Sequence, residues 1–195
     1  MRMGKMIVLT APSGGGKTTI KKHLLAKYPQ LAFSISVTTR KIRETETEGV
    51  DYYFKSVEAF KQLIEDDAFV EWEEVYQNQF YGTLKSEVER IWAQGKHIIF
   101  DVDIYGAQDI KKLYADQCLA IFIRPPSIQV IIERLKARDT ETAESLAKRT
   151  SRTRKELSFE KEFDKVLMND ILQVAFKDAE VMVETFLDLD TSEEE

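Results

Sequence analysis

The sequence predicts an α/β protein, a parallel sheet flanked by helices. Two observations carry that expectation. Short apolar runs at Met6-Ile7-Val8-Leu9, His97-Ile98-Ile99-Phe100 and Leu119-Ala120-Ile121-Phe122-Ile123 have the length and composition of buried strands. The first run also leads directly into Ala11-Pro12-Ser13-Gly14-Gly15-Gly16-Lys17-Thr18, a glycine-rich turn that opens a helical stretch.

The elements follow in order. Residues 5–10 form the first strand and 17–28 the helix behind the turn, closed by Pro29. Phe33-Ser34-Ile35-Ser36-Val37 alternates as a short strand does. Val57, Phe60, Leu63 and Ile64 give Ser56–Asp66 helical spacing, and Phe69–Trp72 is extended. Leu84–Gln94 is a helix stopped by Gly95, followed by a buried strand over His97–Asp103. The strand at 119–123 ends at Pro125-Pro126. Helices at 127–137 and 141–157, a strand at 165–168 and a last helix to about 187 complete the chain. Residues 35–83 and 138–160 break the strand–helix rhythm and are expected to be insertions, leaving 1–34, 84–137 and 161–195 as the core.

The turn after the first strand has the makings of a nucleoside triphosphate site. Backbone N–H groups around Gly14–Gly16 can face one anion, helped by the helix dipole. Lys17 supplies a full charge for the β- and γ-phosphates, and the Thr18 hydroxyl suits Mg²⁺. Ala11 stands where the strict form of the motif has glycine; the broader form allows it. Asp101 and Asp103 fall at the carboxyl edge of a buried strand, where ligands bind in open α/β sheets. Asp101 is placed to act near Mg²⁺, often through water.

Composition sets bounds. The 195 residues carry a formal net charge of −6, which argues against a surface built to bind nucleic acid. No apolar run is long enough for a transmembrane helix, and no signal peptide is expected. A single cysteine, Cys118, excludes an intramolecular disulfide and favours a reducing compartment, so a cytoplasmic location is expected. The oligomeric state is left open. The acidic tail from Leu187 reads as a solvated end, and His23 and His97 as structural residues.

Positive charge gathers locally instead. Arg40 and Arg43, with Tyr52 and Tyr81 further on, suit a phosphate monoester: guanidinium forks give charge and geometry, and phenols add donors. Arg134 and Arg138 lie four apart on one helix face, and Asp139 or Thr140 can cap a helix bearing Arg149, Arg152 and Arg154.

Several motifs occur in the order found in one family: Ser36-Val37-Thr38-Thr39-Arg40, Gly49-Val50-Asp51-Tyr52-Tyr53-Phe54, Glu71-Trp72, Tyr81-Gly82-Thr83, Asp101-Val102-Asp103 and Val166-Leu167-Met168-Asn169-Asp170. With the phosphate loop, they make the chain resemble the guanylate kinase family over nearly its whole length. The resemblance implies a P-loop NTPase core with a GMP-binding insertion at 35–83 and a helical lid at 138–160. It implies transfer of a phosphoryl group from ATP, with Mg²⁺, to GMP and to dGMP. ATP would lie on Ala11, Pro12, Ser13, Gly14, Gly15, Gly16, Lys17, Thr18 and Thr19, with Asn169 near the adenine. Arg40, Arg43, Tyr52 and Tyr81 would hold the GMP phosphate, Ser36, Glu71 and Thr83 would contact guanine, and Asp103 would hold the nucleoside. Arg134, Arg138 and Arg149 would close over the ATP phosphates with Lys17 and Arg40 as catalytic partners. Arg152 and Arg154 are read as members of Glu–Arg pairs on an exposed helix face.

Chemistry supports Glu71 separately. Guanine presents two adjacent donors, which one carboxylate accepts together, whereas adenine presents a bare acceptor there; such a mismatch costs on the order of 10⁴-fold in specificity. The chain departs from the family at Ile42 and Thr45, where proline and glycine are usual, and at Tyr105, where glutamine is common. Two rival functions are a P-loop kinase for another phosphorylated acceptor and an inactive guanylate-kinase-like domain that binds protein. Such inactive domains have usually lost the phosphate loop, which this chain retains.

Overall fold

A computed structural model describes residues 4–136 and 143–189 of the chain. The first half runs β1 (Met6–Thr10), α1 (Lys17–Lys27), β2 (Leu31–Phe33), β3 (Val37–Thr38), β4 (Tyr53–Phe54), α2 (Val57–Glu65), β5 (Phe69–Tyr76), β6 (Gln79–Leu84) and α3 (Lys85–Ala93). The second half runs β7 (His97–Asp101), α4 (Ile104–Tyr114), β8 (Cys118–Arg124), α5 (Ile128–Lys136), α6 (Ala143–Leu157), β9 (Lys165–Met168) and α7 (Leu172–Leu187).

Successive residues of β1 enter two different cores. Ile7 and Leu9 join Ile99, Leu119, Ile121 and Ile123 beneath α1 and α7. Met6 and Val8 join Ile98, Phe100, Ala120 and Phe122 beneath α3 and α4. A strand buried on both faces reads as a continuous apolar run, because both halves of its period-two alternation must be apolar. The sheet that results is parallel throughout, in the order β2-β7-β1-β8-β9. All its carboxyl ends therefore point one way, and the loop after β1 opens at that edge beside Asp101, whose register partner is Leu9.

The second sheet has the order β4-β3-β6-β5 and its own small core of Val37, Phe60, Phe69 and Phe80. Phe60 stacks on both Phe69 and Phe80, at 4.5 and 5.3 Å between ring centroids. Helix α2 starts where Ser56 accepts from the Ala59 N–H, as an N-cap does.

The structure differs from expectation in several places. The single strand expected at Phe33–Val37 is two, one in each sheet. Between them the Ser34 N–H donates to Ile99 O at 3.1 Å and the Ile35 N–H to the buried Glu87 carboxylate at 3.2 Å, which turns the chain out of the first sheet. The strand expected to reach Asp103 stops at Asp101, because Asp103 caps α4 by accepting from the Gly106 N–H at 3.0 Å. That helix was not expected, although Ile104, Ala107 and Ile110 recur at helical spacing and form its buried face.

Candidate active site

The loop between β1 and α1 folds on itself through a 2.8 Å bond from the Gly15 N–H to Pro12 O. Gly16 is the N-cap of α1 with φ +102°, a left-handed conformation that glycine adopts without strain. Ala11 accounts for Gly15: a Cβ on residue 15 would lie 2.7 Å from the Ala11 Cβ. Lys17 Nζ donates to Ala11 O at 3.2 Å, folding the side chain back along the loop, while Thr18 and Thr19 are exposed at the helix start.

Asn169 supports this loop from below. It is buried, and its side-chain amide donates to Gly15 O at 2.8 Å. Arg134 in turn donates from Nη2 to Asn169 O at 3.2 Å, while its Nη1 is buried without a hydrogen-bond partner among the described residues. A lone buried guanidinium nitrogen beside a phosphate loop is a donor ready for an anion. Arg138 lies outside the described residues. Arg149 belongs to α6, and its side chain is likewise outside them.

From the loop a cleft of about 230 Å³ extends to the second sheet. Ser13 and Lys17 line it together with Arg43, Tyr52 and Tyr81 and with Ser36, Glu71 and Asp103. Arg40 flanks Tyr52. Its guanidinium stacks over the Tyr52 ring at 4.9 Å and forms a two-pronged bond to Glu46, at 2.6 and 2.5 Å. Burial works against the Arg40 charge, but the Glu46 bond and the electrostatic pull of Tyr81, Glu46 and Tyr52 together outweigh it and hold the group more firmly protonated. That same bond holds the Glu46 carboxyl below its usual range. The acids that follow Arg43 therefore shape the loop in the absence of the family's proline and glycine: Glu46 also accepts from the Arg43 N–H at 2.9 Å, and Glu48 from the Phe54 N–H at 2.8 Å. Tyr52 is pushed up to about 12 by burial, so its phenol remains a neutral donor at physiological pH.

Glu71 sits on β5 directly across from Thr83 on β6 and is only 8% exposed. Burial pushes its carboxyl up to about 7, against the pull of Thr83 and with a further push from Asp103 and Asp109. Gly106 makes the position possible. A Cβ there would come within 2.6 Å of Glu71 Oε2 and 3.1 Å of its carboxyl carbon. Gly106→Ala is therefore expected to raise the KM for the acceptor about ten-fold by displacing the carboxylate, with the melting temperature nearly unchanged; steady-state kinetics and a thermal melt check it.

Asp101 is paired with Lys21 at 3.3 Å, and Lys21 lies over the Phe33 ring at 3.6 Å. Three side chains that sequence reasoning did not assign also belong here: Glu73, Arg152 and Glu156 all line the cleft. Arg152 does pair with Glu156 at 2.7 Å, as local spacing suggested, yet its guanidinium also reaches β5 and Asp103. An i,i+4 partner within its own helix concealed the distant ones.

The guanylate kinase family model matches residues 3–186. The chain belongs to the guanylate kinase family. It is 46% identical over 187 residues to a guanylate kinase of Bacteroides fragilis, covering 96% of this chain and 92% of that one. To a guanylate kinase of Porphyromonas gingivalis it is 49% identical over 171 residues, 87% of this chain and 91% of the relative. The crystal structure of guanylate kinase from Anaplasma phagocytophilum superposes with a TM-score of 0.76 at 28% identity, covering 97% of this chain and 88% of that one. The P-loop architecture of this guanylate kinase family member is thus matched in both sequence and shape.

Proposed function

We propose that the cleft is where this chain performs its family's reaction, with ATP on the phosphate loop and GMP against the second sheet. The chain is an ATP:GMP phosphotransferase, giving ADP and GDP. The observation that carries the placement of GMP is Glu71, a buried carboxylate that lines the same cleft as Lys17 of the phosphate loop. As the carboxylate it accepts from the ring N–H and the exocyclic amine of guanine together, and Ser36 and Asp103 line the same cleft. Residues 35–83 then act as the acceptor insertion and 138–160 as the lid; dGMP is a second acceptor.

The phosphate of GMP is assigned to Arg43, Tyr52 and Tyr81, with Arg40 beside them. Since Glu46 fills the Arg40 fork, the phosphate must share or displace that carboxylate to be gripped by Arg40. On the donor side, Lys17, Arg134, Arg138 and Arg149 spread positive charge around the transferring phosphoryl group. Asn169 keeps the loop in shape through Gly15 O, close to where the adenine is expected. Closure excludes water and aligns the acceptor oxygen with the γ-phosphorus.

Mg²⁺ fits the residues present. Thr18 and Asp101 offer a hydroxyl and a carboxylate, hard oxygen donors of the kind the ion prefers. Among the described residues no cluster of three acidic, histidine or cysteine side chains forms a cage, which suits an ion held largely by nucleotide phosphates and water. When bound, Mg²⁺ neutralises charge on the phosphates. No helix among the described residues is long and apolar enough to cross a membrane, and a cytoplasmic location accords with the lone buried thiol of Cys118.

A coupled assay of ADP formation with GMP, AMP, CMP and UMP tests the placement. Turnover with GMP alone is expected. Equal turnover with AMP would remove Glu71 from the role of selector.

A further inference from the structure

Arg152 joins three elements that sit on different parts of the chain. From α6 it donates through Nη1 to Val75 O at 3.2 Å, on β5. Its Nη2 lies 3.6 Å from Asp103 Oδ2 and 3.9 Å from Glu73 Oε1. Its Nε is held by Glu156 at 2.7 Å, and the guanidinium stands 5.7 Å from the Tyr76 ring. Only 22% of the side chain is exposed.

The partners are arranged for this contact. β5 is the edge strand of its sheet, so carbonyls on its outer side have no neighbouring strand to pair with. Its register with β6 shifts between Glu74 and Tyr76, at the residue whose carbonyl Arg152 takes. Glu73 is two residues from Glu71 on β5, so both carboxylates face the cleft. Asp103 uses one oxygen to cap α4 and presents the other to Arg152. Burial, and next a hydrogen bond with Asp103, push Glu73 well above the usual carboxylate range. Arg152 is thus the cation that Asp103 and Glu156 share, with Glu73 a neutral neighbour at 3.9 Å. The planar guanidinium can serve all of them together, which an ammonium cannot.

We propose that Arg152 is a latch, a positioning residue that holds lid helix α6 against Glu73 and Val75 of the acceptor sheet and Asp103 of the core, and so closes the acceptor pocket independently of ATP. This inference rests on the acceptor placement above. ATP-directed lid arginines act on the donor phosphates, whereas Arg152 ties the lid to the wall that receives the acceptor. The latch thus adds a donor-independent component to closure and slows escape of the acceptor.

The test has two parts. Spin labels at Gln77→Cys and Ser151→Cys, both exposed positions on the hairpin and on α6, report the lid-to-sheet distance without any nucleotide; the native Cys118 is buried. Wild type is expected to give a single short distance, and Arg152→Ala a broadened, longer distribution. In kinetics, Arg152→Ala is expected to raise the KM for GMP about ten-fold with the KM for ATP unchanged, and Arg152→Lys to recover only part of it. Glu73→Ala should do the same, and the double variant should be no worse than either single one. Identical distance distributions in wild type and Arg152→Ala, or additive effects of the two substitutions, would overturn the latch. Because the distance is read without nucleotide, its outcome is separate from the placement of GMP, which fails if Glu71→Gln leaves GMP selectivity intact.

Discussion

Glu71→Gln is expected to lower kcat/KM for GMP on the order of 10³-fold. The substitution keeps the volume and one acceptor oxygen but turns an NH₂ group toward a guanine donor, so one hydrogen bond is lost and two donors face each other. The loss should be largest for GMP and small for poor acceptors, which steady-state kinetics across the four monophosphates will show. A pH dependence accompanies it. Burial places the Glu71 carboxyl at about 7, and only its ionised form accepts both guanine donors. GMP affinity of the wild type should therefore rise more steeply from pH 6 to pH 8 than that of the Gln variant, which keeps only the slope due to the phosphate's own ionisation at about pH 6, as calorimetric titrations can measure.

The same residue makes a statement about stability. Its carboxyl is raised from 4.5 in a free chain to about 7 in the fold, so between those values the folded protein binds more protons than the unfolded one. Stability is then fully present below pH 4.5 and is lost as pH rises through 7, by roughly 3 kcal/mol for this group alone. Glu71→Gln should be more stable than wild type at pH 8 and lack that share of the slope. A variant that selects GMP poorly yet melts higher is the expected pair of results.

Lys17→Met is expected to reduce turnover on the order of 10²–10³-fold while GMP binding survives. Met keeps the length of the side chain and removes the charge. In the structure Lys17 Nζ rests on Ala11 O, so the ammonium is parked on the loop and has only to swing toward the β- and γ-phosphates. Single-turnover kinetics and GMP calorimetry separate the two effects. Turnover near wild type would remove Lys17 from catalysis.

How much of this was legible in the sequence follows from the range of each interaction. The buried strands were visible because both faces of β1, β7 and β8 are apolar. The phosphate loop was visible because its chemistry lies within eight consecutive residues. The turn at Ser34–Ile35 was not, since it depends on Glu87 arriving from α3. Gly106 lay in a stretch where no helix was expected and owes its role to Glu71 arriving from β5, and Arg152 already had a partner four residues on. Glu73 lies two residues beyond Glu71 and so on the same strand face, but the extended stretch was expected to end at Trp72, which hid that alternation. Contacts between elements carry information that spacing along one element does not.

The sheet order also bears on how the chain comes to be folded at all. β1 leaves the ribosome early, but its two neighbours are β7 and β8, with Met6 paired to Ile98 on one side and Cys118 on the other. At ordinary rates of synthesis, the wait from residue 10 to residue 124 is roughly 6–23 s. The second sheet, by contrast, is complete once β6 ends at Leu84, with its own aromatic core already in hand. The acceptor-side insertion can therefore assemble while its host is still unpaired, leaving the four apolar residues of nascent β1 in need of protection until the phosphate loop has a sheet to stand on.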